Sequence, residues 1–253
     1  MSASKIALVT GGSRGLGKNM AIRLAEKGYD VIITYQSRKD AADEVVKEIE
    51  SLGRKSSALQ LDAADFSSLD GFLKNFSDEL QRKWQTSRFD FLVNNAGMGA
   101  TIPFERVTEN DFDRFLNAHF KTVYFLTQRA SNMMNDGGRV INISTGTTRF
   151  CVPGYSVYAS MKGAVEVLTR YMAKELGTRG ISVNVVAPGP IETDFNNAAL
   201  RDNPERRKAI AANTALGRTG QAEDIGGIVA FLCTDDAQWI TGQRIEATGG
   251  INL

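Results

Sequence analysis

Ile6-Ala-Leu-Val-Thr10-Gly-Gly-Ser-Arg-Gly-Leu-Gly17 is the stretch from which the fold follows. A short apolar run, closed by a glycine cluster and followed by the helix-patterned Leu16–Lys27, reads as a buried strand, a tight turn and a helix. Glycine lets the backbone turn sharply and approach a ligand, and a helix N-terminus offers unpaired N–H groups to a pyrophosphate. In this strand–turn–helix setting, Gly11, Ser13, Arg14, Gly15, Leu16 and Gly17 are candidate dinucleotide contacts.

The same alternation continues outward. Val31–Tyr35, Ser57–Leu61, Phe89–Val93, Arg139–Ser144, Ile181–Val186 and Arg244–Glu246 read as further strands, with Ile6–Thr10 the first. Lys39–Leu52, Phe66–Trp84, Glu109–Met134, Val157–Leu176 and Ala222–Cys233 read as the helices between them. Near-continuously apolar strands alternating with helices predict an α/β fold: a Rossmann-type, doubly wound parallel sheet of about seven strands, helices on both faces. Residues 1–253 are expected to form a single domain, with a substrate lid at about 191–215, where the polar stretch Asn196–Asn213 reads as a solvated helix pair or a flap. Ligands of such a sheet bind at the carboxyl ends of its strands.

Composition removes several classes of function. The chain has 253 residues, 42% of them hydrophobic and 23% charged, which describes a globular protein. Thirty basic and 29 acidic residues give a net charge of +1, so nothing favours nucleic acid or an anionic membrane surface. Met-Ser-Ala-Ser-Lys leads straight into the first strand with no signal-peptide apolar region, and two distant cysteines, Cys151 and Cys233, suggest no disulfide framework. A cytoplasmic protein is expected.

The cofactor reading sharpens after the second strand. NAD-selective folds usually place a carboxylate there to bind the ribose hydroxyls. Here the strand ends Thr34-Tyr35-Gln36-Ser37-Arg38, with no acid before Asp40. Arg14 and Arg38 can converge on a 2′-phosphate, which a guanidinium pairs bidentately. Tyr35, Ser37 and Arg38 therefore join the cofactor candidates, and NADP(H) is expected over NAD(H).

Tyr158 and Lys162, in Tyr-Ala-Ser-Met-Lys, carry the chemistry. Four residues apart on a helix, they share a face. A phenol holds its proton to about pH 10, and a nearby ammonium lowers that value, so the pair can serve as acid or base on a carbonyl or alcohol.

With these motifs in order, the chain resembles the short-chain dehydrogenase/reductase family along nearly its whole length. The resemblance rests on Thr10–Gly17, Asn94–Gly97 (Asn-Asn-Ala-Gly), Tyr158–Lys162 and Pro188–Thr193, then Gly217–Ile225 and Ile240–Gln243. The last two look like the 3-oxoacyl-carrier-protein reductases and their sugar- or alcohol-oxidising relatives. The resemblance implies Tyr158 as the acid or base and Lys162 as its activator and holder of the nicotinamide ribose. It implies Asn117 as the residue that passes protons from Lys162 to solvent through a water. It also implies Asp62 and Ala63 beside adenine, and Asn94, Ala96, Gly97, Pro188, Gly189, Ile191 and Thr193 along the cofactor.

In the carrier-protein reductases that the chain resembles, the catalytic serine lies 13 residues before the tyrosine and 28 after the asparagine. That slot falls on Thr145, with Ser144 as the alternative if a bulge shifts the register. Consecutive strand residues face opposite ways, so only one of the two hydroxyls can fill the slot. Thr147, Phe150 and Tyr155, with Met98, Val152 and Phe195, are the expected substrate walls, largely uncharged. Carrier-protein reductases dock an acidic carrier on basic residues near the site entrance. Arg179 fits one such position but Asp136 opposes the other, so a small carbonyl or alcohol substrate ranks above an acyl-carrier one. His119, the only histidine, is expected to be structural, and no metal is expected. A homo-oligomer, dimer or tetramer, is the family's habit.

Overall fold

The structure is a computed structural model describing residues 4–253; Met1–Ala3, ahead of the first strand, lie outside the described residues. Seven strands are present among them: β1 (Ile6–Val9), β2 (Asp30–Tyr35), β3 (Ser56–Gln60), β4 (Phe89–Asn94), β5 (Met134–Ile143), β6 (Ser182–Pro188) and β7 (Arg244–Ala247). All neighbours are parallel, in the order β3-β2-β1-β4-β5-β6-β7. The order reverses between β1 and β4, which opens a crevice at their carboxyl ends.

Eight α-helices occur among the described residues: α1 (Gly15–Glu26), α2 (Lys39–Ser51), α3 (Leu69–Glu79), α4 (Glu109–Leu116), α5 (Thr122–Ala130), α6 (Ser156–Leu176), α7 (Pro204–Ala212) and α8 (Glu223–Leu232). Alternation along the strands feeds two cores. Ala7, Val9, Val31, Ile33 and Val93 pack with α1, α2 and α8 through Met20, Leu24, Val45, Ile49 and Val229. Leu8, Ile32, Leu92, Val140 and Val183 pack on the other face with Phe72, Phe76, Leu126 and Met172.

A chain of buried polar side chains crosses the second layer. Asn94 Nδ2 donates to Asn142 Oδ1 (2.8 Å) and to Thr127 Oγ1 (2.9 Å), and Asn142 Nδ2 donates to Thr169 Oγ1 (2.9 Å). Thr169 in turn donates to the Val165 carbonyl (2.8 Å). These bonds tie β4, β5, α5 and α6 together, and satisfied buried networks of this kind fix a unique arrangement.

Two segments differ from the sequence expectation. The helix anticipated over Glu109–Met134 is broken. A capping box between Thr108 and Asp111 starts α4, which yields at Asn117–Lys121 to one wide π turn before α5 resumes. A 3-10 turn at Ser131–Met133 follows, and Met134 already belongs to β5, opposite Phe89. Gly137, at φ +76°, and Gly138 interrupt the apolar pattern there, where the β4–β5 register shifts, so the early part of the strand does not read as one.

The second is the segment anticipated as a lid. It leaves β6 through the Ile191–Gly220 bridge, turns through Asp194–Asp202, forms α7 and returns by the Thr214–Ile251 bridge. Asn203 caps α7 by accepting from Arg206 N–H, with Pro204 in the first turn. It contains one helix, and both of its ends are pinned.

Candidate active site

One cavity of about 720 Å³ runs along the carboxyl ends of β1, β4, β5 and β6. The glycine turn forms one end. Gly11 and Gly15 have φ of +66° and +54°, the left-handed region that glycine enters without strain. A Cβ on Gly17 would stand 2.1 Å from the Gly11 carbonyl oxygen and 2.5 Å from Asn95 Nδ2, so α1 can begin here only on glycine. No side chain caps α1, and its first turn carries no acid, which leaves its N–H groups for an anion. Thr10 Oγ1 braces the turn by accepting from the N–H groups of Asn95 and Ala96 (both 2.9 Å). This cradle fits a dinucleotide pyrophosphate.

The other end carries Tyr158 and Lys162, the pair expected to serve as acid and base. They lie one turn apart on α6, Tyr158 half-buried and Lys162 only 4% exposed. Its Nζ donates to the Ile143 carbonyl at the end of β5 (2.7 Å). Burial lowers the ammonium from its ordinary 10.5 to about 8. Burial drives Tyr158 the opposite way, up to about 12; the Thr145 hydroxyl against it pulls downward, and Tyr155 adds to the rise. The expected depression by Lys162 is absent. Its ammonium is committed to Ile143 and sits 5.9 Å from the tyrosine ring centroid, and desolvation dominates. A phenol so shifted keeps its proton at neutral pH.

The two hydroxyls at the end of β5 face apart. Ser144 Oγ donates to Glu166 Oε1 (2.6 Å), which also accepts from Thr148 Oγ1 (2.7 Å) and Arg244 Nε (2.9 Å). Thr145 points toward Tyr158 and meets Thr147 Oγ1 at 3.1 Å. Ser144 therefore supports the loop, while Thr145 presents its hydroxyl to the reacting region.

Of the anticipated residues, Gly11, Ser13, Arg14, Gly15, Leu16, Gly17, Asp62, Ala63, Ala96, Gly97, Pro188, Gly189, Ile191 and Thr193 line this cavity. So do Thr145, Thr147, Phe150, Tyr155, Tyr158 and Lys162, with Met98, Val152 and Phe195. Others do not. Asn94 is 3% exposed and spends its amide on the buried polar chain; Asn95 holds the cavity edge instead, donating to the Thr10 carbonyl (2.8 Å). Asn117 lies off the lining, because the π turn directs Ala118 and His119 inward. Tyr35 packs against the first core, and Ser37 and Arg38 stand outside, Arg38 paired with Asp40 (3.2 Å). Arg14 approaches Asp194 of the 191–215 segment (3.8 Å), so the two arginines do not converge.

Arg179 donates to Asp136 (2.8 Å) and to two backbone carbonyls near the start of β5, at the end of the strand remote from Thr145. Within one chain it is no entrance residue. Sequence reasoning also passed over Gln36, Asn196 and Arg206, which reach the cavity from β2 and the lid. Asn196 Nδ2 donates to Tyr155 Oη (3.0 Å) and Thr101 Oγ1 (3.1 Å), holding the 191–215 segment against the cavity wall. Among the described residues no cluster suited to a metal ion occurs, and no helix is long and apolar enough to cross a membrane.

Comparison with known proteins agrees with this geometry. Residues 11–252 match the family model described as enoyl-(acyl carrier protein) reductase. An uncharacterized oxidoreductase of Methylorubrum extorquens is 39% identical, over 98% of this chain and 97% of its own. The 3-oxoacyl-[acyl-carrier-protein] reductase of Staphylococcus aureus is 38% identical over 100% of both chains. The crystal structure of the angucycline C-6 ketoreductase LanV with bound NADP superimposes with a TM-score of 0.94 at 37% identity, covering 99% of this chain and 96% of that one. The chain belongs to the short-chain dehydrogenase/reductase family of oxidoreductases.

Two outcomes follow from this geometry. Gly17→Ala forces a methyl into the Gly11 carbonyl, and fluorescence titration should show dinucleotide affinity at least ~10-fold weaker, a loss of about 1.4 kcal/mol. Lys162→Met should stabilise the ligand-free protein. Below pH 8 the folded state bears the full cost of charging a buried amine whose value falls from 10.5 to about 8, roughly 3 kcal/mol. That cost fades as pH rises from 8 to 10.5, so urea denaturation should show the variant's advantage at pH 7 shrinking toward pH 10.5.

Proposed function

We propose that this protein is an NADP(H)-dependent ketoreductase in which Tyr158 delivers the proton to the carbonyl oxygen. One observation carries the reading: the half-buried Tyr158 phenol lies against the Thr145 hydroxyl, in the cavity that the glycine turn opens. Bound NADPH supplies hydride to the carbonyl carbon. Thr145 and Tyr158 donate hydrogen bonds to the carbonyl oxygen as it gains charge, a stabilisation effective in a water-excluded site. Tyr158 gives up its proton to complete the alcohol. Lys162, mostly protonated at pH 7 with a value near 8, stands behind it to restore the balance. In alcohol oxidation the same groups run in reverse.

Preference for NADP(H) is supported by the missing carboxylate after β2 and by Arg14 at the cavity mouth. Arg38, now in an exposed and therefore weak pair with Asp40, is free to turn with Ser37 toward a 2′-phosphate. The bound NADP of LanV is consistent with this.

For substrate we favour a small ketone, with a sugar or other alcohol behind it. The walls Met98, Phe150, Val152, Tyr155 and Phe195 are apolar or aromatic and suit an apolar carbonyl compound. The segment 191–215 acts as a lid over it, released when the Asn196–Tyr155 clasp opens. Reduction of a 3-oxoacyl carrier conjugate, the activity named for the S. aureus relative, is the alternative. It is disfavoured by the engagement of Arg179 with Asp136. A cytoplasmic homo-oligomer fits the exposed Tyr124, Val167 and Tyr171 on α5 and α6.

NADPH consumption against ketones, diketones, sugars and 3-oxoacyl thioesters, repeated with NADH, tests the proposal. Turnover of free ketones with a clear NADPH advantage is expected; equal or better rates with NADH would refute the arginine argument. On an active ketone, Thr145→Ala should lower kcat by on the order of 10²-fold, the scale for loss of a preorganised donor, while Ser144→Ala retains most of it. The reverse ranking would transfer the role to Ser144.

A further inference from the structure

Three arginines stand on or just before α7, and they are not treated alike. Arg201 pairs with Asp194 and Asp202, and Arg207 approaches Glu192 (3.8 Å). Arg206, in the first turn of α7, has no carboxylate within ion-pair reach among the described residues. It is half-buried and lines the reaction cavity. Its guanidinium lies against the Tyr155 hydroxyl, to which Thr101 and Asn196 also bring donors. Burial alone would raise the Tyr155 phenol above its ordinary value; the donors from Thr101, Arg206 and Asn196 outweigh that and hold it lower.

A guanidinium is always charged and offers five N–H donors in a planar fork. Drawn partly out of water without a counter-charge, it carries a desolvation cost that an anion offsets best. The other charged groups bordering the cavity are engaged or turned outward. Arg14 faces Asp194 (3.8 Å), Lys162 donates to Ile143 (2.7 Å), and Arg114 is exposed on α4. Asp62 accepts from Gln36 (3.1 Å), and Asp194 is held by Arg201. The Tyr155 and Tyr158 rings are 6.2 Å apart between centroids, so Arg206 stands at the reaction end and not over the glycine turn. Since Asn196 (3.0 Å) and Thr101 (3.4 Å) donate to the Tyr155 oxygen, the phenol's own proton is left for a ligand.

We propose that Arg206 and the Tyr155 hydroxyl bind a carboxylate carried by the substrate, which makes the preferred substrate a keto acid. The inference deepens the ketoreductase reading and rests on it. A carboxylate is planar and takes two parallel N–H bonds from a guanidinium, with a lone pair left for the phenol O–H. A single free cation also matches a monoanion better than a doubly charged phosphate. Phe150, Val152 and Phe195 hold the body of the molecule between the two ends and limit water around the pair, which strengthens it. The carboxylate takes no part in bond making: hydride still reaches the carbonyl carbon and the proton still comes from Tyr158. Because Arg206 rides on α7, the anion that is recognised also holds the 191–215 segment over the carbonyl.

Calorimetry of benzoate and benzamide against the full-length protein loaded with NADP tests the site without a known substrate. Benzoate should bind at least ~10-fold more tightly than benzamide, the scale of hydrogen bonds to a charged group, and Arg206→Gln should erase the difference. Arg206→Lys keeps the charge without the fork and should retain only part of it. In turnover, the wild type should favour a keto acid over its methyl ester by ~10-fold or more in kcat/KM, expressed mainly in KM, and Arg206→Gln should bring the two toward parity. Equal binding of benzoate and benzamide, or a benzoate affinity indifferent to Arg206→Gln, would overturn the site even if ketones are reduced. Arg206-dependent benzoate binding with no carbonyl reduced would uphold the site and remove the ketoreductase reading. A loss of NADPH affinity in Arg206→Gln as large as the loss for the acid would overturn the assignment by giving the arginine to the cofactor.

Discussion

The hydrogen bond from Lys162 Nζ to the Ile143 carbonyl is the contact on which the reaction end of the molecule depends. It fastens the middle of α6 to the last residue of β5, and thereby sets Tyr158, one turn earlier on α6, against Thr145, just past the strand. The bond also gives a buried ammonium a partner it would otherwise lack. Depth has an energetic cost that the cores on the two faces of the sheet absorb, and it delivers a lysine that exchanges protons near neutrality.

Around this contact, polar groups in the interior are spent on position. Asn94, Asn142, Thr127 and Thr169 hold β4, β5, α5 and α6 in one register. Glu166, one turn beyond Lys162 on the same helix face, collects Ser144, Thr148 and Arg244 and so fixes the loop that carries Thr145. Arg244 also reaches the Thr145 carbonyl (3.3 Å). Three successive turns of α6 thus provide Tyr158, Lys162 and the carboxylate that anchors the loop of Thr145.

Much of this was legible in the amino-acid order, for physical reasons. The apolar strands and the glycine turn are local signals, and a seven-stranded parallel sheet with the turn at its switch point follows from them. The opposite directions of Ser144 and Thr145 follow from extended backbone that continues just past the end of β5. What stayed hidden depends on events off the regular pattern. A single π turn decides that His119 faces the cavity and Asn117 does not, and nothing in helix periodicity counted from Glu109 announces it. Counted backward from the buried stripe of α5, the same sequence does place His119 inside. Asn94 and Asn95 exchange roles because the strand ends between them, where alternation ceases to apply. The tyrosine's upward shift depends on depth of burial, a quantity that a spacing of four cannot reveal.

The grip of Arg149 on the last turn of the chain has a practical consequence. Its guanidinium donates to the carbonyls of Ile251 (2.6 Å) and Asn252 (3.2 Å) and pairs with Glu246, while its neighbour Phe150 forms part of the cavity wall. Ile251 and Asn252 themselves border the same space. An affinity tag fused after Leu253 would hang from the rim of the reaction chamber and pull on the loop that shapes it. Proteolytic trimming of the final residues would cut the same strap from the other side. Preparations differing only in how this end is finished would then differ in what they accept as substrate, with every residue at the proton-transfer site unchanged.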